Sequence, residues 1–194
     1  MKHASTREVF DYWNTRRGHR IAPERGDIEP GSIRRALADS FILAFDPLAG
    51  HPFRLAGTRV CALFCRELKG EPFARFWDID SKPSFQDLIS IVADEAIGLV
   101  AGITAHTANG LSCDLEMLLL PLAQGGQLHA RTLGVLAPIT APYWLGAHQV
   151  ERLSLNTLRH LEDAFDTAAV PRLVAFPSTE ASRRKFAVYQ GGRA

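Results

Sequence analysis

The chain has 194 residues, of which 46% are hydrophobic and 22% are charged, and its formal net charge is +1. This composition is ordinary for a globular protein with one hydrophobic core, and the near-neutral charge argues against a broad surface for nucleic acids. Three cysteines are too few for a secreted disulfide framework. No apolar run has the length of a signal peptide or a membrane span. We therefore expect a cytoplasmic protein that binds no nucleic acid and does not insert into a membrane.

The N-terminal third is predicted to be helical with an irregular connection. Val9, Phe10 and Trp13 recur at helical spacing, and Gly18 is placed to end that helix. A stretch rich in proline and glycine follows and predicts a loop. Residues 32–40 then predict a second, short helix.

The middle of the chain predicts a hairpin followed by two helices. Residues 41–45 and 53–56 are short apolar runs separated by turn residues, which is typical of two paired strands. Thr58 is a suitable N-cap for a helix over residues 59–68. An amphipathic pattern over residues 85–98 predicts a longer helix with one apolar face.

The sequence after residue 98 is predicted to be rich in strands. Residues 99–110, 111–126 and 127–142 predict three strands, with Asn-Gly and Gly-Gly turns between them that favour an antiparallel meander. Residues 148–165 predict a short strand that passes into a helix. The order of elements indicates an α+β fold with a single antiparallel sheet.

Four stretches of the sequence together resemble a known family. They are Tyr12–Pro30, Phe53–Gly70, Glu116–Leu122 and Arg131–Pro138. From Tyr12 to Leu153 the chain is similar to PAS domains, and most closely to the short, stand-alone PAS proteins common in alphaproteobacteria. The resemblance implies five antiparallel strands, a helical segment after the second strand and a preceding N-terminal helix. It also implies a sensory or regulatory role without enzyme activity.

We divide the chain into three parts on this basis. Residues 1–40 are predicted to form an N-terminal helical extension, residues 41–153 the PAS domain, and residues 154–194 a C-terminal helix with a loosely ordered tail.

The cysteines raise the question of a reactive thiol. The stretch Cys65–Gly70 resembles the Cys-Arg-Phe-Leu-Gln-Gly of blue-light flavin sensors. When the chain is aligned with PAS domains, however, the reactive cysteine of those sensors corresponds to a position after Gly70, near Phe73, and not to Cys65. We interpret Cys61 and Cys65 as small side chains on one face of a helix. The alternative is a metal site completed by Cys113 or a histidine, for which the spacing matches no strong template.

The resemblance also places a set of candidate ligand-binding residues. If the fold holds a pocket, we expect it between the segment that contains Phe73 and Trp77, the long helix and the concave face of the sheet. The candidates are Phe73, Phe76, Trp77, Ile91, His106 and Met117. The same residue types also pack ordinary cores, so both interpretations stay open. The long helix has no histidine, which argues against haem.

A second set of candidates lies at the N-terminus. Val9, Phe10 and Trp13 could contact a partner or a second copy of the chain, or could cover the protein's own sheet. Arg16 and Arg20 belong to a basic cluster and could hold an anionic nucleotide. We expect Arg20 to pair with Asp27 and to hold the N-terminal loop against the sheet.

Three functions compete at this level. The first is a single-domain PAS sensory or regulatory protein that acts by non-covalent contact with cytoplasmic signalling proteins, as a homodimer, with or without a small-molecule pocket. The second is a sensor that bears flavin or haem or responds to a nucleotide. The third is an enzyme, for which no nucleophile or metal motif is present. We expect the first and predict no cofactor.

Overall fold

The computed structural model describes residues 1–161 and, within them, leaves the side chains of residues 128 and 129 undescribed. The helices are α1 (Ala4–Arg17), α2 (Thr58–Leu63) and α3 (Lys82–Asp94), with short 3-10 turns at Arg25–Asp27, Pro30–Ile33, Leu37–Asp39 and Phe73–Phe76. The strands are β1 (Ser40–Ala44), β2 (Phe53–Ala56), β3 (Leu99–Thr107), β4 (Ser112–Gln124), β5 (Gln127–Pro138) and β6 (Val150–His160). Within residues 1–161, no helix is long and apolar enough to cross a membrane.

The strands form one sheet in the order β2-β1-β5-β4-β3-β6, and every neighbouring pair is antiparallel. The predicted β1–β2 hairpin and the predicted β3–β4–β5 meander are confirmed. The α+β class, the antiparallel sheet and the helical segments after the second strand are confirmed with them.

The sixth strand corrects two predictions. β6 pairs with β3 along most of its length, so the sheet has six strands rather than five, and residues 154–160 are extended rather than helical. Leu155, Leu158 and Leu161 are spaced by three, which suits a helix as well as a bulged strand. Pairing with β3 decides the outcome, and a bulge opposite Gly102 absorbs the extra residue Asn156. The remainder of the predicted C-terminal part lies outside the described residues.

Two helices differ from their predicted extents for local reasons. α2 ends at Leu63 rather than at residue 68, because Cys65 has a φ of 50° and leaves the helical conformation. Its N-cap is Gly57 instead of Thr58. α3 begins three residues earlier than predicted, with proline in its first turn, and ends at Asp94. The helix predicted over residues 32–40 is replaced by 3-10 turns.

The sheet has a hydrophobic cluster on each face. We call the cluster under α2 and α3 the inner cluster and the cluster under α1 the outer cluster. Along β3 the odd-numbered residues, such as Ala101 and Ile103, point to the inner cluster, and Val100 points to the outer cluster.

α1 covers the outer face of its own sheet. Val9 and Trp13 are completely buried in the outer cluster, and Trp13 Nε1 donates a hydrogen bond to the carbonyl of Pro121 at 2.8 Å. Of the two alternatives for Val9 and Trp13, the structure shows the one in which they cover the protein's own sheet, and contact of the N-terminal helix with a partner stays a prediction. Phe10 is half-buried beside Trp13 and keeps some exposed area.

The inner cluster is packed closely enough to require a glycine. Gly134 on β5 lies opposite Phe41 on β1, and a Cβ at this position would overlap the Phe41 ring. The ring fills the space that any other side chain would need, so β1 and β5 are held in one register.

Candidate functional site

Aromatic side chains occupy the centre of the inner cluster. Phe73 contacts Phe53, Phe41 and Phe85 with ring centroids 4.9, 5.5 and 5.0 Å apart. Trp77 lies against Phe85 with centroids 4.7 Å apart. Aromatic pairs at these distances gain interaction energy beyond the area they bury.

Four of the six predicted pocket residues are buried in this cluster. The exposed fractions of Phe73, Phe76, Trp77 and Met117 are 0%, 3%, 5% and 1%. An exposed fraction near zero means that almost no water-sized space touches these side chains. Ile91 is half-buried and packs against the same cluster. In this structure the region predicted as a pocket is filled by side chains.

This packing shows whether the inner cluster has room for flavin or haem, the cofactors of the second candidate function. A planar multi-ring group needs a cavity of several hundred cubic ångströms, and the stacked Trp77 and Phe85 occupy that region. The residues therefore do not fit such a group unless the aromatic cluster first moves apart.

Trp77 has a feature that ordinary core packing does not explain. Its Nε1 atom is buried and finds no hydrogen-bond acceptor within residues 1–161. A buried donor without an acceptor costs about 1–3 kcal/mol. Among the predicted pocket residues that lie in the inner cluster, the indole N–H of Trp77 is thus a buried donor that a bound acceptor could satisfy.

His106 lies away from the other predicted pocket residues. It belongs to the even-numbered set on β3 and lies on the outer side of the sheet. Its Nε2 is 3.2 Å from Ser154 Oγ on β6, and Ser154 Oγ donates to Asp78 Oδ2 at 2.5 Å. The Asp78 backbone N–H also donates to the Leu153 carbonyl. This polar group attaches the segment before α3 to β6, which the sequence reasoning missed.

The basic cluster at the end of α1 is paired with carboxylates. The predicted Arg20–Asp27 ion pair is confirmed at 2.7 Å. The hydrogen bond from Arg20 lowers the pKa of the Asp27 carboxyl below its usual value. Arg16 lies 2.9 Å from Glu29 and also donates to the Tyr12 hydroxyl. An anionic ligand would have to displace these carboxylates.

A second acid holds the N-terminal loop to the sheet. Glu24 accepts hydrogen bonds from the backbone N–H groups of Gly125 and Gly126 at 3.1 and 3.0 Å, in the turn between β4 and β5. The Ala123 N–H donates to the carbonyl of Pro23 at 3.0 Å. Glu24 and Pro23 therefore attach the loop to the β4–β5 turn, and the Arg20–Asp27 pair stabilises the loop itself.

Asp39 joins three elements at one buried carboxylate. Its exposed fraction is 1%, and it accepts hydrogen bonds from Ser5 Oγ on α1 at 2.6 Å and from two nitrogens of Arg59 on α2, each at 2.6 Å. Bidentate pairing of this kind fixes geometry as well as charge. Asp39 therefore links both helices to the start of β1.

The cysteines do not form one face of a helix. Cys61 lies within α2 and is half-buried, whereas Cys65 lies beyond the end of α2 and is exposed. Burial raises the pKa of the Cys113 thiol to about 11. The structure holds no group of three His, Cys, Asp or Glu side chains placed to bind a metal ion, among the residues that it describes.

A surface groove lies apart from the predicted pocket. Its volume is about 810 Å³, and none of the six predicted pocket residues lines it. Gly102 and Asp114 lie along it, with Ile139, Asn156 and Arg159 around them. Next to the bulge in β6, Thr157 Oγ1 lies so close to Gly102 that a Cβ at Gly102 would overlap it.

A family model described as a PAS domain matches residues 1–137. No curated protein matched the sequence significantly.

Solved structures with a similar fold include several light-oxygen-voltage (LOV) and PAS domains. A LOV domain from work on a flavin analogue is 12% identical with a TM-score of 0.46, and the match covers 58% of this chain and 85% of that chain. The LOV protein of Rhodobacter sphaeroides is 14% identical with a TM-score of 0.45, covering 56% and 63%. The PAS domain of an HTR-like protein from Haloarcula marismortui is 17% identical with a TM-score of 0.38, covering 56% and 90%. Similarity at this level says nothing about ligand or partner.

Proposed function

Because the chain belongs to the PAS-domain family, whose model matches residues 1–137, we propose that it is a sensory or regulatory protein that acts through non-covalent contact with other proteins. In this proposal the domain has no enzyme activity and carries no resident cofactor. Its partners are cytoplasmic signalling proteins of a bacterium, and the protein works as a homodimer.

The observation that supports this proposal is the filled inner cluster. Phe73, Trp77 and Phe85 occupy the region where a PAS ligand was expected, and each is at most 5% exposed. A signal that does not arrive as a bound small molecule must be exchanged at the surface. The exposed apolar side chains Leu48, Ile79 and Tyr143 offer surface for such contacts.

A second candidate function is supported by the unpaired Trp77 Nε1. In this alternative, a small apolar molecule with one hydrogen-bond acceptor opens the inner cluster and accepts a hydrogen bond from the indole. Most of such a ligand's affinity would come from apolar contact, and the indole would fix its orientation. The two candidates differ in whether the purified protein carries a ligand.

Native mass spectrometry of the purified chain separates these candidates. Docking without a ligand predicts the mass of the chain or of its dimer, and the ligand sensor predicts an additional small mass. The homodimer is tested by light scattering during size-exclusion chromatography over a range of concentrations. A monomer mass at every concentration would overturn the homodimer and leave the docking function in place.

A further inference from the structure

Two arginines lie on either side of β1 near one edge of the sheet. Arg131 on β5 pairs with Ala44, and Arg54 on β2 follows Phe53, which pairs with Leu43. Neighbouring strands are about 4.8 Å apart, so the backbones of the two arginines are roughly 10 Å apart across β1. Side chains of this length can meet over the intervening strand.

Neither arginine has an anionic partner among the residues that the structure describes. Arg131 Nη1 donates only to the neighbouring Ala130 carbonyl at 3.1 Å, and Arg54 makes no side-chain hydrogen bond or ion pair within residues 1–161. Burial lowers the pKa of Arg131, and the positive charge of Arg54 lowers it further.

Three other arginines of the fold are paired with carboxylates. Arg16, Arg20 and Arg59 each lie within 2.9 Å of a carboxylate oxygen. The chain has 21 acidic residues for 22 basic ones, so counter-charges are not scarce. Like charges brought together across a sheet are destabilising. The Arg54–Arg131 pair is therefore unfavourable within the isolated domain, and an anion from outside would relieve it.

The surroundings of the pair favour a protein segment over a free ion. Leu55 pairs with Ile42, which belongs to the outer cluster, and Leu55 is 43% exposed next to Arg54. Leu48, at the tip of the same hairpin, is fully exposed. A free phosphate would use the charges only, whereas a peptide could cover the leucines as well.

We propose that Arg54, Leu55 and Arg131 form a docking surface for an acidic segment of a partner protein. The segment would place carboxylates on the two guanidinium groups and an apolar side chain on Leu55. This inference rests on the proposed docking function, for which it names a surface and the chemistry of the partner. Charge complementarity of this kind raises the association rate and selects the partner.

The test uses the full chain and a synthetic helical peptide with glutamates along one side and leucines beside them. Binding is measured by fluorescence anisotropy of the labelled peptide at low and at physiological salt. We expect binding that weakens with salt, and a loss of about tenfold or more in affinity for each of Arg54→Glu and Arg131→Glu. Arg152→Glu, an exposed strand arginine at the opposite edge of the sheet, is the matched control and should change affinity by about twofold or less.

Three outcomes would overturn the proposal. The first is equal affinity of the wild type and Arg54→Glu for the peptide, and the second is an equal loss of affinity in Arg152→Glu. The third is complete displacement of the peptide by inorganic phosphate when the ionic strength is held constant. Arg131→Gln, which keeps the aliphatic stem, shows whether a loss at this position comes from charge or from misfolding. A bound small molecule in native mass spectrometry would refute docking without a ligand and would leave this peptide result unaffected.

Discussion

Trp77 lies nearly flat against Phe85, with ring centroids 4.7 Å apart and an angle of 14° between the ring planes. Phe73 meets both rings edge-on, 5.7 Å from Trp77 and 5.0 Å from Phe85. These three side chains connect the 3-10 turn before α3, α3 itself and the inner face of the sheet. The inner cluster is closed by this contact, and the proposed function depends on it.

Removing one ring of this stack should open a cavity. Phe85→Ala deletes a completely buried ring, and we expect the free energy of unfolding to fall by about 3–5 kcal/mol. Urea denaturation followed by circular dichroism measures the change. Tyr143→Ala, which removes an 89% exposed ring, should change stability by no more than about 0.5 kcal/mol. If Phe85→Ala costs less than about 1 kcal/mol, the inner cluster is not tightly packed.

The buried carboxylate of Asp39 should be among the most sensitive polar positions. Asp39→Ala leaves Arg59 and Ser5 without their acceptor, and we expect a loss of about 3 kcal/mol in the free energy of unfolding. Asp39→Asn keeps the shape and removes the charge, so its loss should be smaller. Asp80→Ala, at an exposed aspartate, is the control. Equal stability of the Asp39→Ala and Asp80→Ala variants would contradict the assigned role.

Much of the fold could be predicted because its signals are local. The strand over 53–56 has the predicted bounds, and the helical stripe of Val9 and Trp13 is the stripe that α1 buries. β6 could not be predicted in this way. Its leucines satisfy two periodicities, and only the distant partner strand β3 selects one of them.

The candidate site could likewise be predicted only in part. Phe73, Trp77 and Met117 were correctly placed on one side of the sheet, but sequence alone cannot tell a filled core from a pocket, because both use the same residue types. The position of His106 on the outer face could have been predicted from the sequence. His106 and Val100 are both even-numbered residues of β3, and alternate residues of a strand lie on the same face. Glu116, a charge within an apolar strand, was a further signal that was not used.

Glu116 should make stability depend on pH. Burial alone would raise its pKa, but the hydrogen bonds from the backbone N–H groups of Lys2 and His3, at 2.6 and 2.9 Å, lower it. Together with the Thr6 side chain and the positive charge of the N-terminus, they place the net pKa below the usual value. A lowered folded-state pKa stabilises the protein above the unfolded value of about 4.3, and this contribution is lost as the pH falls through the folded-state pKa.

Glu116→Gln should therefore lower the free energy of unfolding by about 2 kcal/mol at pH 7 and by much less near pH 3. Urea denaturation at both pH values measures the two differences. Glu67→Gln, at an exposed position, should have little effect at either pH. A penalty for Glu116→Gln that is the same at both pH values would show that the ionised carboxylate is not what holds the start of α1.

The three thiols should react in a fixed order. Cys65 is exposed and should be labelled first by a maleimide at pH 8. Cys61 is half-buried, and burial raises its pKa, so it should follow. Cys113, with a pKa raised to about 11, has roughly one thiolate in a thousand at that pH and should be labelled last. Peptide mass spectrometry over time gives the order, and the urea-unfolded chain, in which the rates should become similar, is the control. Labelling of Cys113 as fast as Cys65 would contradict its half-buried placement.

The most direct test of the central claim is native mass spectrometry of the freshly purified chain, with an absorption spectrum of the same sample. If the protein acts by docking with its inner cluster filled, the mass will be that of the chain or of its dimer, and there will be no visible absorption band. A co-purified small molecule, or a band of flavin or haem, would contradict docking without a ligand.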